Sequence, residues 1–300
     1  MDDYAIPMPV PEPVEVSRCL WAPGAAPAAT ALRDALCASA DAQSLGAYEA
    51  LWFGTIARRA AEAPWDGRHP AFCWRPAPGE PRLWVRCYLF ESVMLARTRG
   101  AMLMAACGAR PPTHPESAAD YAAAAAAYEL AADTLAAWAN LPAHGICPTL
   151  TVQENSSCAR LAAALHHAAR LSAGDAASWM GVHALCAAHG DAGIRPVGLA
   201  LRRVGLDAHA AACAAAAESA AEKNDYPNAA ALAGRAAEDA LASGASERHQ
   251  AYSRRAQTLR FALARVWPGT KEPPFASSML PAASELPPHG GRYPDIERVV

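Results

Sequence analysis

Lysine is almost missing from this 300-residue chain. Of its 26 basic residues only Lys223 and Lys271 are lysine, and the rest are arginine. Charged residues make up just 18% of the chain, and the formal net charge is −3. That balance speaks against a dedicated nucleic-acid binder, which needs a basic surface to meet phosphate. There is no run of about 20 strongly apolar residues, the length that crosses a bilayer. Alanine stretches such as 122–127 are too weakly hydrophobic to substitute for one. The nine cysteines are odd in number and include no Cys-x-x-Cys pair, which suits neither a disulfide framework nor a zinc site. They read as small buried thiols. The opening Met-Asp-Asp-Tyr is acidic and followed by prolines, unlike a secretory leader, so the expected setting is cytoplasmic.

What is abundant is alanine. The chain holds 78, about half of all its hydrophobic residues. Each alanine buries one methyl group, so core energy has to come from few large side chains and from close backbone approach. Alanine is also the best helix former.

Residues 1–30 are proline-rich and read as an extended arm. From about Ala31 apolar residues recur at helical spacing, through Leu32, Leu36, Leu45, Tyr48, Leu51, Trp52 and Ile56. Pro64–Pro81 breaks the pattern with five prolines and the aromatics Trp65, Phe72 and Trp74, and Phe72 and Trp74 are expected to plug the body of the domain. A large helix is predicted from Leu83 to about Cys107, with Arg86, Arg97 and Arg99 facing water. Another opens near Pro115 and carries Tyr121, Tyr128, Leu135 and Trp138. Further helices are predicted at about 150–172, 175–189, 206–224, 227–243 and 246–266. No stretch alternates with period two, so no sheet is predicted. The expected fold is an all-α domain of antiparallel helices over 31–266, with a Pro-rich tail over 267–300 that packs back on it.

Catalytic signatures are missing: no Gly-x-Ser-x-Gly, no phosphate-binding loop and no dinucleotide fingerprint. His166, His167, His183 and His189 lack metal-site spacing, since adjacent helical residues point about 100° apart. No metal and no cofactor are expected. Glu91 lies in an apolar helix face, where it is either an acid with a raised pKa or a carboxylate capped by a neighbouring arginine or a backbone group. Enzyme activity is not expected. Trp179, Val182, Leu185 and Cys186 form a single stripe of the 175–189 helix, which is either core or an exposed partner-binding surface. Arg202-Arg203 and Arg254-Arg255 offer basic patches, or simply a solvated helix face.

Three short motifs occur in an informative order. Tyr48-Glu-Ala-Leu51, then Phe72-Cys-Trp74, then Leu89-Phe90-Glu91-Ser92-Val93-Met94-Leu95 resemble the BRO domain family, the "bro-one" domain of Alix, rhophilin and BROX. The helix from Pro115 to Trp138, the segment Asp225–Ala236 and the proline-rich stretch Pro273–Leu286 are similar to later parts of the same domain. The chain departs from it in places: Ala96 stands where the family has Asn, and Leu161–His167 lacks the family's glutamines.

The resemblance implies an elongated, curved helical domain with a TPR-like core and extended N- and C-terminal arms. It further implies an adaptor that binds the C-terminal amphipathic helix of a Snf7-type charged multivesicular body protein, a subunit of ESCRT-III, in endosomal sorting. The binding patch falls near Ala168, Gly181 or Val182, and Leu185, with Trp179 one stripe over. Ala168 occupies a position where the family has a large aromatic. Endosome association and peripheral membrane contact follow from the same resemblance, although no C-terminal prenylation cysteine is present. The competing expectation is a generic TPR-like scaffold that binds an unrelated peptide.

Overall fold

The computed structural model describes residues 6–14, 16, 24–62, 71–108, 114–141, 150–172 and 195–280. Its described helices are α1 (Ala26–Ala38), α2 (Ala42–Leu51), α3 (Ala57–Glu62), α4 (Tyr88–Cys107), α5 (Ala118–Ala139), α6 (Val152–Ser172), α7 (Arg195–Glu222), α8 (Tyr226–Ser243) and α9 (Ser246–Val266). The all-α expectation holds, and the helices form two compact units with the boundary inside α6, at Ala162–Ala163.

In the first unit, α4 is the central element. Phe90, Val93, Met94 and Leu95 are fully buried on it, among Leu36 of α1, Tyr48 of α2 and Ala131 of α5. Asp41 caps α2 by accepting from the Ser44 amide at 2.8 Å. Between α2 and α3 the chain makes a π-helical turn, Trp52–Ile56, whose two end residues are both buried. Such a bulge shifts the face that a helix presents to its neighbours beyond the turn.

Three predictions about this unit are corrected. A small antiparallel sheet is present, with β2 (Phe72–Arg75) between β1 (Val10–Pro11) and β3 (Leu83–Val85). Phe72 pairs with Val85 and Trp74 with Leu83. Strands of two to four residues are too short for period-two alternation to register in a sequence. Second, α4 starts at Tyr88, because Leu83–Val85 is spent on pairing with β2. Third, Arg97 does not face water: it is buried and donates to Glu154 at 2.7 Å. The plugging role of Phe72 and Trp74 does hold, since both have no exposed surface.

Where α4 and α5 cross, alanine and glycine set the spacing. A Cβ at Gly100 would fall 2.7–2.9 Å from three ring atoms of the buried Tyr128. Glu49 of α2 approaches α4 from another side, where Arg99 donates to it at 2.8 Å. Burial raises the Glu49 carboxyl above its usual range, although the Arg99 hydrogen bond pulls the other way. The folded state therefore holds that proton more tightly than the unfolded chain does. Glu49 contributes most at low pH, and its contribution is lost as pH rises through the ordinary carboxylate value toward the raised one. Glu49→Gln is expected to flatten this slope when urea midpoints of the two proteins are compared across the mildly acidic range. A slope unchanged by the substitution would contradict the assignment.

The second unit is built on α7, α8 and α9. Ala212, Ala217, Ala229, Ala230, Ala233, Ala236 and Ala256 pack together with Leu232, Leu259 and Leu280 in one buried cluster. Close packing on alanine, expected from composition, is therefore observed. Asp225 caps α8, and Gly244, at φ +83°, ends it in the left-handed conformation that only glycine adopts without strain. Helix α7 begins earlier than predicted, at Arg195. Pro196 sits in its first turn, where a missing N–H costs nothing. Beyond α9, Phe275, Met279 and Leu280 lie against the same cluster.

Candidate partner-binding surface

The three motifs that carry the family resemblance meet at one carboxylate. Glu91, in the first turn of α4, has no exposed surface. Its Oε1 accepts from the Arg33 guanidinium of α1 and, at 2.9 Å, from the Tyr48 hydroxyl of α2. Its Oε2 accepts from the Trp74 indole of β2 at 2.6 Å. Arg33 is fully buried as well. Its remaining donors go to the Cys73 carbonyl at 2.9 Å and the Glu12 carbonyl at 3.3 Å. Its guanidinium carbon lies 5.2 Å from the Trp74 ring centre and 5.7 Å from that of Phe72. Next to this hub, the Trp52 indole donates to Ser92 at 2.9 Å.

A buried ion pair is tolerable only when its remaining hydrogen-bonding capacity is met, and here both partners are surrounded by donors or acceptors. The hub joins four sequence-distant segments, namely the β1 neighbourhood, α1–α2, β2 and α4. It explains why tyrosine, tryptophan and glutamate are needed at these three places. It also decides between the two readings of Glu91. Its oxygens are engaged by internal donors and reach no solvent, so the side chain is the arginine-capped structural carboxylate.

The other sequence candidates separate clearly. Trp179, Val182, Leu185 and Cys186, together with His183 and His189, lie outside the described residues. Ala168 is buried at 3% exposure, so this methyl offers nothing to a partner. His166 donates from Nδ1 to the Ala118 carbonyl at 2.7 Å, and its ring sits 5.2 Å from that of His167. In the basic pair on α9, Arg255 is engaged by Glu218 through two hydrogen bonds, whereas Arg254 is exposed. The large apolar residues exposed among the described positions include Trp84 on β3 and Phe261 and Trp267 at the end of α9.

One group was missed by reading the sequence. His209 and Cys213 of α7 converge with Asp239 of α8. The available signal was His-x-x-x-Cys, a spacing that puts both side chains on one helical face. Inspection of cysteine pairs alone does not reveal it.

The fold is similar to that of solved structures. The chain is similar to one described as "ALIX BRO1 CHMP4C complex", with a TM-score of 0.69 and 13% identity, covering 90% of each chain. The fold is that of the BRO1 domain. A second similar structure is ALIX in complex with the SIVmac239 PYKEVTEDL late domain, with a TM-score of 0.71 and 13% identity. That match covers 93% of this chain and 48% of the other, so the present chain spans about half of that longer protein. No family model and no curated protein matches the sequence. No described helix is long and apolar enough to cross a membrane.

Proposed function

We propose that this chain is a BRO1-like adaptor that binds the C-terminal amphipathic helix of a Snf7-type ESCRT-III subunit. The observation that carries the proposal is the likeness, over 90% of both chains, to a BRO1 domain solved in complex with CHMP4C. The convergence of the family-like motifs on Glu91 supports it. An amphipathic helix is held by an apolar patch that receives residues spaced three and four apart. Val182 and Leu185 are the proposed anchors of that patch, with Trp179 beside them. The setting that goes with this role is cytoplasmic and endosome-associated, reached through the protein partner, and the role is binding and not catalysis.

The site is tested with Val182→Asp and Leu185→Asp, measuring affinity for a fluorescent Snf7-type helix peptide together with thermal unfolding. A charged group in an apolar contact is expected to weaken binding by at least about tenfold, or about 1.4 kcal/mol, at an unchanged Tm. Variants that unfold would place the stripe in the core. Folded variants that bind as well as wild type would place the patch elsewhere.

A further inference from the structure

We propose that His209, Cys213 and Asp239 form a binding site for one soft divalent cation of the zinc class. The three residues lie in the second unit, on two packed helices. His209 and Cys213 are four apart on α7, and Asp239 faces them from α8. Their donor atoms all lie within 4.8 Å of one another. Nδ1 of His209 is 2.6 Å from the Asp239 carboxylate and 3.8 Å from the Cys213 sulfur. Tetrahedral coordination at zinc bond lengths requires donors about 3.3–3.6 Å apart. A small outward rotation of the carboxylate and a small inward one of the thiol would reach that spacing.

The donor set selects the ion. One imidazole nitrogen, one sulfur and one carboxylate oxygen suit zinc or cobalt and do not suit magnesium or calcium, which take oxygen ligands. The surroundings favour occupancy. Cys213 and Asp239 are buried, and the Phe275 ring covers the group, edge-on to His209 at 5.7 Å. Arg235 lies over the same ring at 5.5 Å and donates from Nε to Oδ2 of Asp239 at 3.0 Å. Its Nη2 holds the other oxygen, Oδ1, at 2.8 Å, and its Nη1 lies 3.8 Å from the exposed Glu238. In the bound state Arg235 keeps Oδ1 and yields Oδ2, orienting the ligand carboxylate as an outer-shell partner does.

Binding requires the thiolate. The Cys213 thiol loses its proton to solvent as the metal–sulfur bond forms, with no change of oxidation state. Burial, with the Asp239 charge adding to it, pushes that thiol up to about 12. The alternative is that the three residues are only a hydrogen-bonded clamp between α7 and α8.

Cobalt(II) titration of the reduced full chain separates the two. The expected result is a one-to-one complex with a thiolate-to-cobalt charge-transfer band in the near ultraviolet, bleached by equimolar zinc. Cys213→Ala should remove the band, and Asp239→Asn should weaken binding by more than about tenfold. Far-UV circular dichroism checks that each variant keeps its helices. If Cys213→Ala does not fold, His209→Gln takes its place. Absence of the band in wild type, or a band that survives loss of the ligand in a folded variant, would overturn the site.

Discussion

Glu91→Ala is expected to destabilise the protein by about 3–5 kcal/mol, because it leaves the Arg33 guanidinium buried without its counter-charge. Arg33 and Glu91 both have no exposed surface, so water cannot compensate. The Tyr48 hydroxyl and the Trp74 indole lose their acceptor in the same step. An unsatisfied buried donor adds about 1–3 kcal/mol each, non-additively within one network. In a chain of this size the expected fall in Tm is on the order of 10 °C. Replacing both charges, as in Arg33→Met with Glu91→Leu, should recover much of the loss, since the penalty belongs to the orphaned charge and not to the missing attraction. Urea unfolding of the wild type and the two variants measures this. A loss below about 1 kcal/mol for Glu91→Ala would mean that the hub is hydrated.

Gly100→Ala is expected to destabilise as well, against the ordinary preference of a helix interior. In an open helix the change would gain up to about 1 kcal/mol. Here the added methyl would lie 2.7 Å from the nearest ring atom of Tyr128, on the facing helix α5. That ring is among the largest fully buried side chains, so it has no solvent to retreat into. Overpacking of this kind costs about 1–3 kcal/mol. Tyr128→Phe keeps the ring and should not relieve the clash, whereas Tyr128→Leu should. A double-mutant cycle in which Gly100→Ala costs the same beside tyrosine and leucine would contradict the contact. So would a net gain in stability on Gly100→Ala alone.

How far the chain could be read without coordinates differs from element to element. Helices α5, α8 and α9 were legible because alanine propensity, bulky residues at helical spacing and Gly or Pro punctuation all agree over more than fifteen residues. Leu83–Val85 was misread as helix. Three apolar residues suit either state until the partner strand Phe72–Arg75 is known. Arg97 was misassigned to solvent because its partner, Glu154, lies 57 residues along the chain and no local pattern announces it. The Glu91 hub was half visible. Its three motifs stand in an informative order along the chain, but their convergence on one carboxylate is a tertiary fact. The His209–Cys213–Asp239 group was legible only as one helical pair, and its third member comes from the next helix. Low identity has a related cause. With 78 alanines, many contacts in the second unit are made by methyl groups, which specify helix packing without marking a family.

The central claim is that a BRO1-like fold here serves to hold an amphipathic helix. Its most direct test is fluorescence anisotropy with the intact chain and a labelled Snf7-type C-terminal helix. The control is a peptide of identical composition whose apolar residues are scrambled off one face. Saturable binding in the micromolar range, at least about tenfold weaker for the scrambled peptide, is the predicted result. Equal binding of both peptides, or none by a folded protein, would contradict the account and leave a BRO1-like fold that serves another partner.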